Sequence, residues 1–221
     1  DATLYRKMVG CCIWFMLARV DIQEATSECT QHMQSPTNRD MSMVVRVYAY
    51  LQGSLDKYLT YSKAGMAKEM DMGCAHKSSH HSFGVCAGYV DANLASPRSQ
   101  TGFAFKIGGG TILSRVKRQP VTAVDTCDSE LYAWSLSCCS GIWIWMAMME
   151  LNSLFNYQLL FGPLVIHGDA SSVVKTVQEQ AMSQKARHIA LRWHWHHFME
   201  AMKHKVLEAH HIAGSHNPAN T

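Results

Sequence analysis

The chain has 221 residues, 48% of them hydrophobic and 17% charged. That composition buries a core and excludes a disordered tail. Lys and Arg number 20 against 17 Asp and Glu, and the net charge of +3 is too small to mark a nucleic-acid or membrane-surface protein by itself.

The length suits one large domain or two small ones. The eight cysteines include the adjacent pairs Cys11-Cys12 and Cys138-Cys139 and form no CxxC. This is no disulfide framework, and it points to a reducing compartment. No uncharged apolar run reaches about 18 residues, so no membrane span is expected. Asp1-Ala-Thr-Leu-Tyr-Arg-Lys is not a signal peptide. Without an initiator Met it reads as a cut from a longer polypeptide.

Residues 3–34 carry apolar positions at a period near 3.6, which predicts two helices broken around Arg19-Val20-Asp21. A turn at 35–40 leads into a helix over 39–52, with Met43, Val44, Val47, Tyr50 and Leu51 on one face and a stop at Gly53. Residues 57–63 read as a short strand. Residues 64–82 lack periodicity and read as a linker or loose hairpin. A strand over 84–92 then opens a different pattern. After the turn "ASPRSQ" come a strand over 101–107, a tight turn at 108–110 and a strand over 111–116, an antiparallel meander. Residues 127–151 form a helix apolar nearly all round, hence buried. A buried strand over 162–169, helices over 171–182 and 185–205, and a strand over 206–214 complete the chain. Pro218 is placed to start a further helix. The order predicts an α/β fold, a mixed sheet with helices on both faces.

Three acids fall at telling places. Asp91 interrupts the β-prone run "FGVCAGYV"; either the strand ends at Val90 and Asp91 opens a turn, or the carboxylate serves a ligand. Glu130 is placed in the first turn of the long helix, where a macrodipole role is the alternative. Asp169 ends a strand and is also placed to cap the helix that follows. Ligands of mixed α/β sheets collect at strand C-termini, and acids converging there repel one another without a divalent cation. Mg²⁺ suits such hard oxygen ligands. Two ions about 4 Å apart clamp the attacking and leaving oxygens of a phosphodiester.

The stretch "GYVDANLASPRSQTGFAFKIGGGTILSRVKRQPVTAVDTCDSELYA" resembles the ribonuclease H domain of copia-type retrotransposon polyproteins, with their Asp-Ala-Asp-Trp strand, glycine hairpin and "STEAEY" helix start. "IHGDASSV", "KARHIALRWHWHHFME" and "HHIAGSHNPANT" follow in the family's order. The upstream "VDIQEATSECTQHMQSPTNRDMSMVVRVYAYLQGSLDKYLTYSK" is similar to the region after the reverse-transcriptase palm.

The resemblance implies a five-stranded ribonuclease H-like sheet over 83–221, a helical thumb or connection region over 1–63 and a linker over 64–82. It implies hydrolysis of RNA in RNA–DNA hybrids with two Mg²⁺ or Mn²⁺ ions and no small-molecule cofactor. The rest of the polyprotein is the implied partner, and the setting is intracellular: cytoplasm, retrotransposon particle or nucleus. Asp91, Glu130 and Asp169 match metal-binding acids. The fourth acid, last of "NPAD", is Asn220 here, so the rival expectation is a weakened or inactive domain that binds hybrids or a protein without cutting. His211 matches a histidine assisting product release, with a surface strand-end residue as the plain alternative. Arg98, Arg115, Lys117 and Arg118 are placed to meet phosphates, or to form an ordinary solvated edge. No Tyr-x-Asp-Asp of a polymerase site is present.

Two histidine groups suggest zinc less well. His194, His196 and His197 scatter over different helix faces, unlike an i, i+4 pair. Cys74, His76, His80, His81 and Cys86 could form a small site, against a plain linker. Trp143, Trp145 and Met146 to Met149 read as core or as packing against a neighbouring domain rather than a base-stacking platform.

Overall fold

Helix caps and apolar spacing organise the first 60 residues. The computed structural model describes residues 1–62, 86–95, 97–155, 163–179 and 195–220, and the chain divides into two units, Asp1–Thr60 and Tyr61–Thr221. In the first unit, α1 (Ala2–Phe15) starts where the Asp1 carboxylate accepts from the backbone N–H groups of Thr3 and Leu4. Helix α2 (Gln23–Thr30) follows a single 3₁₀ turn, Val20–Ile22. Helix α3 (Asn38–Gln52) opens on a capping box between Thr37 and Asp40, which satisfies two donors that the first turn leaves free.

The three helices close over Tyr5, Val9, Cys12, Ile22, Cys29, Val44 and Val47. The Tyr5 hydroxyl donates to the Cys29 carbonyl at 2.8 Å. Of the apolar face expected on α3, Tyr50 is exposed. Its hydroxyl donates to Asp21 at 2.7 Å, and Arg19 and Lys57 stand over its ring. The strand expected at 57–63 is not formed over 57–62, although the Ser62 N–H donates to the Gly108 carbonyl at 2.8 Å. Residues 64–82, read as a linker, lie outside the described residues.

The second unit is built on one sheet. Strands β1 (Cys86–Asn93), β2 (Gln100–Ile107) and β3 (Gly110–Arg118) form the antiparallel meander. Strand β4 (Leu164–Gly168) runs parallel to β1, and β5 (Leu207–His211) parallel to β4. The spatial order is β3-β2-β1-β4-β5. Parallel neighbours need long crossovers: α4 (Thr126–Phe155) connects β3 to β4, and α5 (Ser171–Glu179) and α6 (Trp195–Lys203) lie between β4 and β5. Val90, Phe103, Phe105, Leu131, Trp134, Cys138, Ile166, Val174 and Leu207 belong to one core between these helices and the sheet. Ala87 and Tyr89, which alternate to the opposite face of β1, pack with Ile212 and Ala219.

Several boundaries differ from expectation. Strand β3 continues to Arg118 because each residue to that point finds a partner on β2. Strand β5 stops at His211, after which Ile212 donates one last bond to Gly168 and the chain turns through Gly214–His216. Pro218 and Ala219 form a turn rather than the start of a helix within the described residues. Helix α4 is long and apolar enough to cross a membrane by composition, contrary to the absence of such a segment expected from uncharged runs. Its apolar residues Leu131, Trp134, Cys138 and Ile144 are instead buried in the sheet core. Past Gly141 the helix is only half covered: Trp145 and Met148 pack on the core, while Trp143 and Met146 are exposed.

Candidate metal centre

Strand alternation explains Asp91. Val90 and Ala92 point into the helix-covered core, so the intervening side chain turns to the other face. There Asp91 is buried on a strand that runs on to Asn93. Glu130 is buried too, one residue deeper in the helix than a start at 127 would place it, because α4 begins at Thr126. The capping work falls to Asp125 and Asp128. The Asp125 carboxylate accepts from the Asp128 N–H at 2.8 Å, and the Asp128 carboxylate accepts from the Val124 N–H at 3.0 Å. Glu130 is thereby released from a macrodipole role. Asp169 directly follows β4. Ala170, not Asp169, supplies the carbonyl that opens α5, accepting from Val173 and Val174.

Each of the three acids places a carboxylate oxygen within 4.8 Å of those of the other two. Burial raises the Glu130 pKa to about 8, the negative charges of Asp91 and Asp169 add to the rise, and a hydrogen bond from the Ala92 backbone partly opposes it. Three clustered carboxylates with one driven toward its neutral form are a site short of positive charge. The donor set is all hard oxygen, which fits a divalent cation such as Mg²⁺ or Mn²⁺.

No protein-family model matches the chain. Secreted RxLR effector protein 161 of Plasmopara viticola is 28% identical over 145 residues, which cover 63% of this chain and 90% of that protein. An uncharacterized mitochondrial protein of Arabidopsis thaliana is 26% identical over 144 residues, covering 65% of this chain but only 54% of the relative. Among solved structures, LC11-RNase H1 in complex with an RNA/DNA hybrid aligns with a TM-score of 0.38 and 14% identity, over 60% of this chain and 88% of that one. The strand order, with a parallel β4 beside the acid-bearing β1, decides the fold. The sheet is ribonuclease H-like in fold.

In the ribonuclease H-like unit, Asn220 and Asp169 both approach Gly214. The Asn220 side-chain N–H donates to the Gly214 carbonyl at 3.2 Å. A Cβ on Gly214 would stand 2.9 Å from Asp169 Oδ2 and 3.7 Å from Asn220 Nδ2, so Gly214 permits a backbone approach that a larger residue would block. His211 is the exposed last residue of β5 rather than part of a following loop. Its Nε2 donates to the Asp169 carbonyl at 3.1 Å.

The four basic residues do not form one patch. Arg115, Lys117 and Arg118 are exposed on β3 and Arg98 on the β1–β2 connection. Arg118 lies opposite Gln100, which pairs with Asn93, and so shares the face of Asp91. Arg115 and Lys117 alternate to the helix-covered face. Of the histidine groups, His194 and the side chains of His196 and His197 lie outside the described residues, as do Cys74, His76, His80 and His81. Cys86 is a buried thiol of β1.

Two positioning residues escaped sequence reasoning. Gln119 is buried at the end of β3 and donates to Thr101 Oγ1 and to the Ser129 carbonyl, each at 3.0 Å. It thereby fixes the helix turn carrying Glu130 against the sheet. Asn217 donates to the Val90 carbonyl at 3.0 Å and accepts from the Ala219 N–H at 3.1 Å, pinning the C-terminal segment beside Asp91. Each is a polar residue next to a motif residue, and only the tertiary contact distinguishes it from a surface amide.

Proposed function

We propose that the ribonuclease H-like unit hydrolyses the RNA strand of RNA–DNA hybrids, with Asp91, Glu130 and Asp169 holding two divalent cations, Mg²⁺ or Mn²⁺. The observation that carries this reading is the convergence of three carboxylates within 4.8 Å, those of Asp91 and Glu130 buried and that of Asp169 half-buried. Bound cations would supply Lewis acidity at the scissile phosphate and a water activated for attack. The chain's own part is to hold three anionic ligands in fixed directions. Asp91 is fixed by the β1 ladder, Glu130 by the α4 turn tied to Gln119, and Asp169 by its backbone bond from His211. Such hybrids are recognised through groove shape, phosphates and the 2′-hydroxyl. Arg118, on the Asp91 face, is the best placed of the basic residues for a phosphate contact. The unit of residues 1–60 is then a connection region within a longer retrotransposon polyprotein.

A second reading is favoured by Asn220. A carboxamide that donates to Gly214 brings no negative charge to a cation, so the domain would bind hybrids and cut them poorly, and Mn²⁺ would support cleavage better than Mg²⁺.

The test is incubation of the purified chain with an end-labelled RNA–DNA hybrid in each metal, beside Asp91→Asn. Cleavage of the RNA strand in the parent alone supports hydrolysis at this site. Retention of hybrid with no cleavage in either metal supports the second reading. Cleavage unaffected by Asp91→Asn removes the site from the reaction.

A further inference from the structure

Trp134 stands four residues after Glu130 on α4. Residues so spaced share a helix face, and helical side chains lean toward the N-terminus. The indole therefore leans toward the helix turn that carries Glu130. It is fully buried, and its edge meets Gly168. A Cβ on that glycine would stand 2.7 Å from Cζ2, 3.0 Å from Nε1 and 3.1 Å from Cε2 of the indole. Gly168 is the residue before Asp169, held by β1 on one side and β5 on the other. The indole thus fills the space between the backbones that carry two of the three acids.

Filling volume does not by itself account for tryptophan here. Its Nε1–H is buried and finds no hydrogen-bond partner among the described residues. A phenyl ring would fill most of the same space without an orphaned donor. What the larger ring adds is reach, from the helix to the bare Cα of Gly168.

We infer that Trp134 and Gly168 act as a matched spacer that sets the separation of Glu130 and Asp169 and so the affinity of the acid cluster for a divalent cation. The inference rests on the metal-centre reading above. Trp134 is a positioning residue, and it touches no reacting group.

The test is calorimetric titration of the metal-free chain with MnCl₂ alone, with thermal melts alongside. The variants are Trp134→Phe, Trp134→Leu, Gly168→Ala, the two double variants, and Leu207→Ala as a core control at the opposite end of β5. Trp134→Phe is expected to keep a melting temperature near the parent's while weakening Mn²⁺ binding on the order of tenfold, as loss of outer-shell support for metal ligands does. Leu207→Ala should lower the melting temperature and leave Mn²⁺ affinity within about twofold, since the ligands stay in place. Gly168→Ala should weaken binding in the parent and less so beside the smaller residue 134, because the overlap is relieved. Mn²⁺ affinity that falls equally in Leu207→Ala, or that Gly168→Ala lowers equally in all backgrounds, overturns the spacer alone. Should Trp134→Phe fail to fold, Trp134→Leu carries the same comparison. A parent that takes up no Mn²⁺ overturns the metal-centre reading, and the spacer with it.

Discussion

Replacing Asn220 by aspartate tests the fourth position of the acid cluster directly. In the parent the Asn220 amide donates to Gly214 at 3.2 Å, a bond an ionised aspartate cannot make. An exposed hydrogen bond of this kind is worth about 1 kcal/mol. The new carboxylate also faces Asp169 across Gly214, the two side chains being 3.7 and 2.9 Å from the same point. The sum of those distances puts the two groups at most about 6.6 Å apart, and at that limit, with an effective dielectric of about 20, one such pair costs roughly 2.5 kcal/mol. Because Asn220 is exposed, solvent and salt lower that toward about 1 kcal/mol. Without metal, Asn220→Asp should therefore destabilise the ribonuclease H-like unit by about 2 kcal/mol. With metal the same charge is attractive, and tighter cation binding should raise cleavage at least about tenfold, equivalent to about 1.4 kcal/mol of barrier. The signature is a reversal of sign. The melting temperature of the variant should fall below the parent's in EDTA and recover or exceed it in MnCl₂, while a labelled hybrid is cut faster. A variant that melts lower in both conditions and cuts no faster would refute the assignment of residue 220 to the centre.

Glu130 makes stability depend on pH. Its pKa rises from 4.5 to about 8 on folding, so the folded state retains a proton that the unfolded chain releases. That stabilisation is complete below about pH 4.5 and is lost as pH rises through 8, with a slope of up to about 1.4 kcal/mol per pH unit. Urea titrations of the metal-free chain at pH 5.5 and 8.5 should show the higher pH to be the less stable. Glu130→Gln should flatten the difference, and a slope that persists in that variant would point to another group. Saturating Mn²⁺ should also flatten it, since metal binding favours the charged form. Gly214→Ala should displace the Asp169 carboxylate, because a Cβ there comes within 2.9 Å of Oδ2. Mn²⁺ affinity should fall while far-UV dichroism is retained, and unchanged affinity would mean that the loop yields instead.

The acids were legible because each stands at an element boundary or breaks an element's pattern. Asp91 is the one charge in an apolar strand, and its odd place in the alternation shows which face it takes. Glu130 falls near a helix start, whose boundary shifts by a residue between pattern and structure, and its freedom from capping follows only once Asp125 and Asp128 are seen to take that work. The partners of Asn217 and Gln119 were not legible. The bond from Asn217 to Val90 spans 127 positions, and nothing local at either end requires it. Which basic residues of β3 share the Asp91 face was not legible from their sequence proximity, because the pleat sends Arg118 to one face and Arg115 and Lys117 to the other. Tyr50 fitted the apolar stripe of its helix by spacing. Its polar end, drawn to Asp21, took it to the surface.

Pinning the C-terminal segment to β1 through Asn217 fixes when the centre is completed during synthesis. Residues 1–60 have their own caps and core and are free to fold as soon as they leave the ribosome, as such units generally do. The sheet's central strand must wait. One parallel neighbour of β1 arrives some 75 residues later in the chain, β5 later still, and the clasp over Asp91 only after residue 217. Such distant pairings slow folding. A nascent chain would therefore carry its acids unassembled until translation had passed the whole unit. A ribosome-bound chain stalled with residue 205 at the tunnel exit should show protease resistance over residues 1–60 and none around Asp91. Protection of Asp91 at that stage would show that the meander forms the centre without β5.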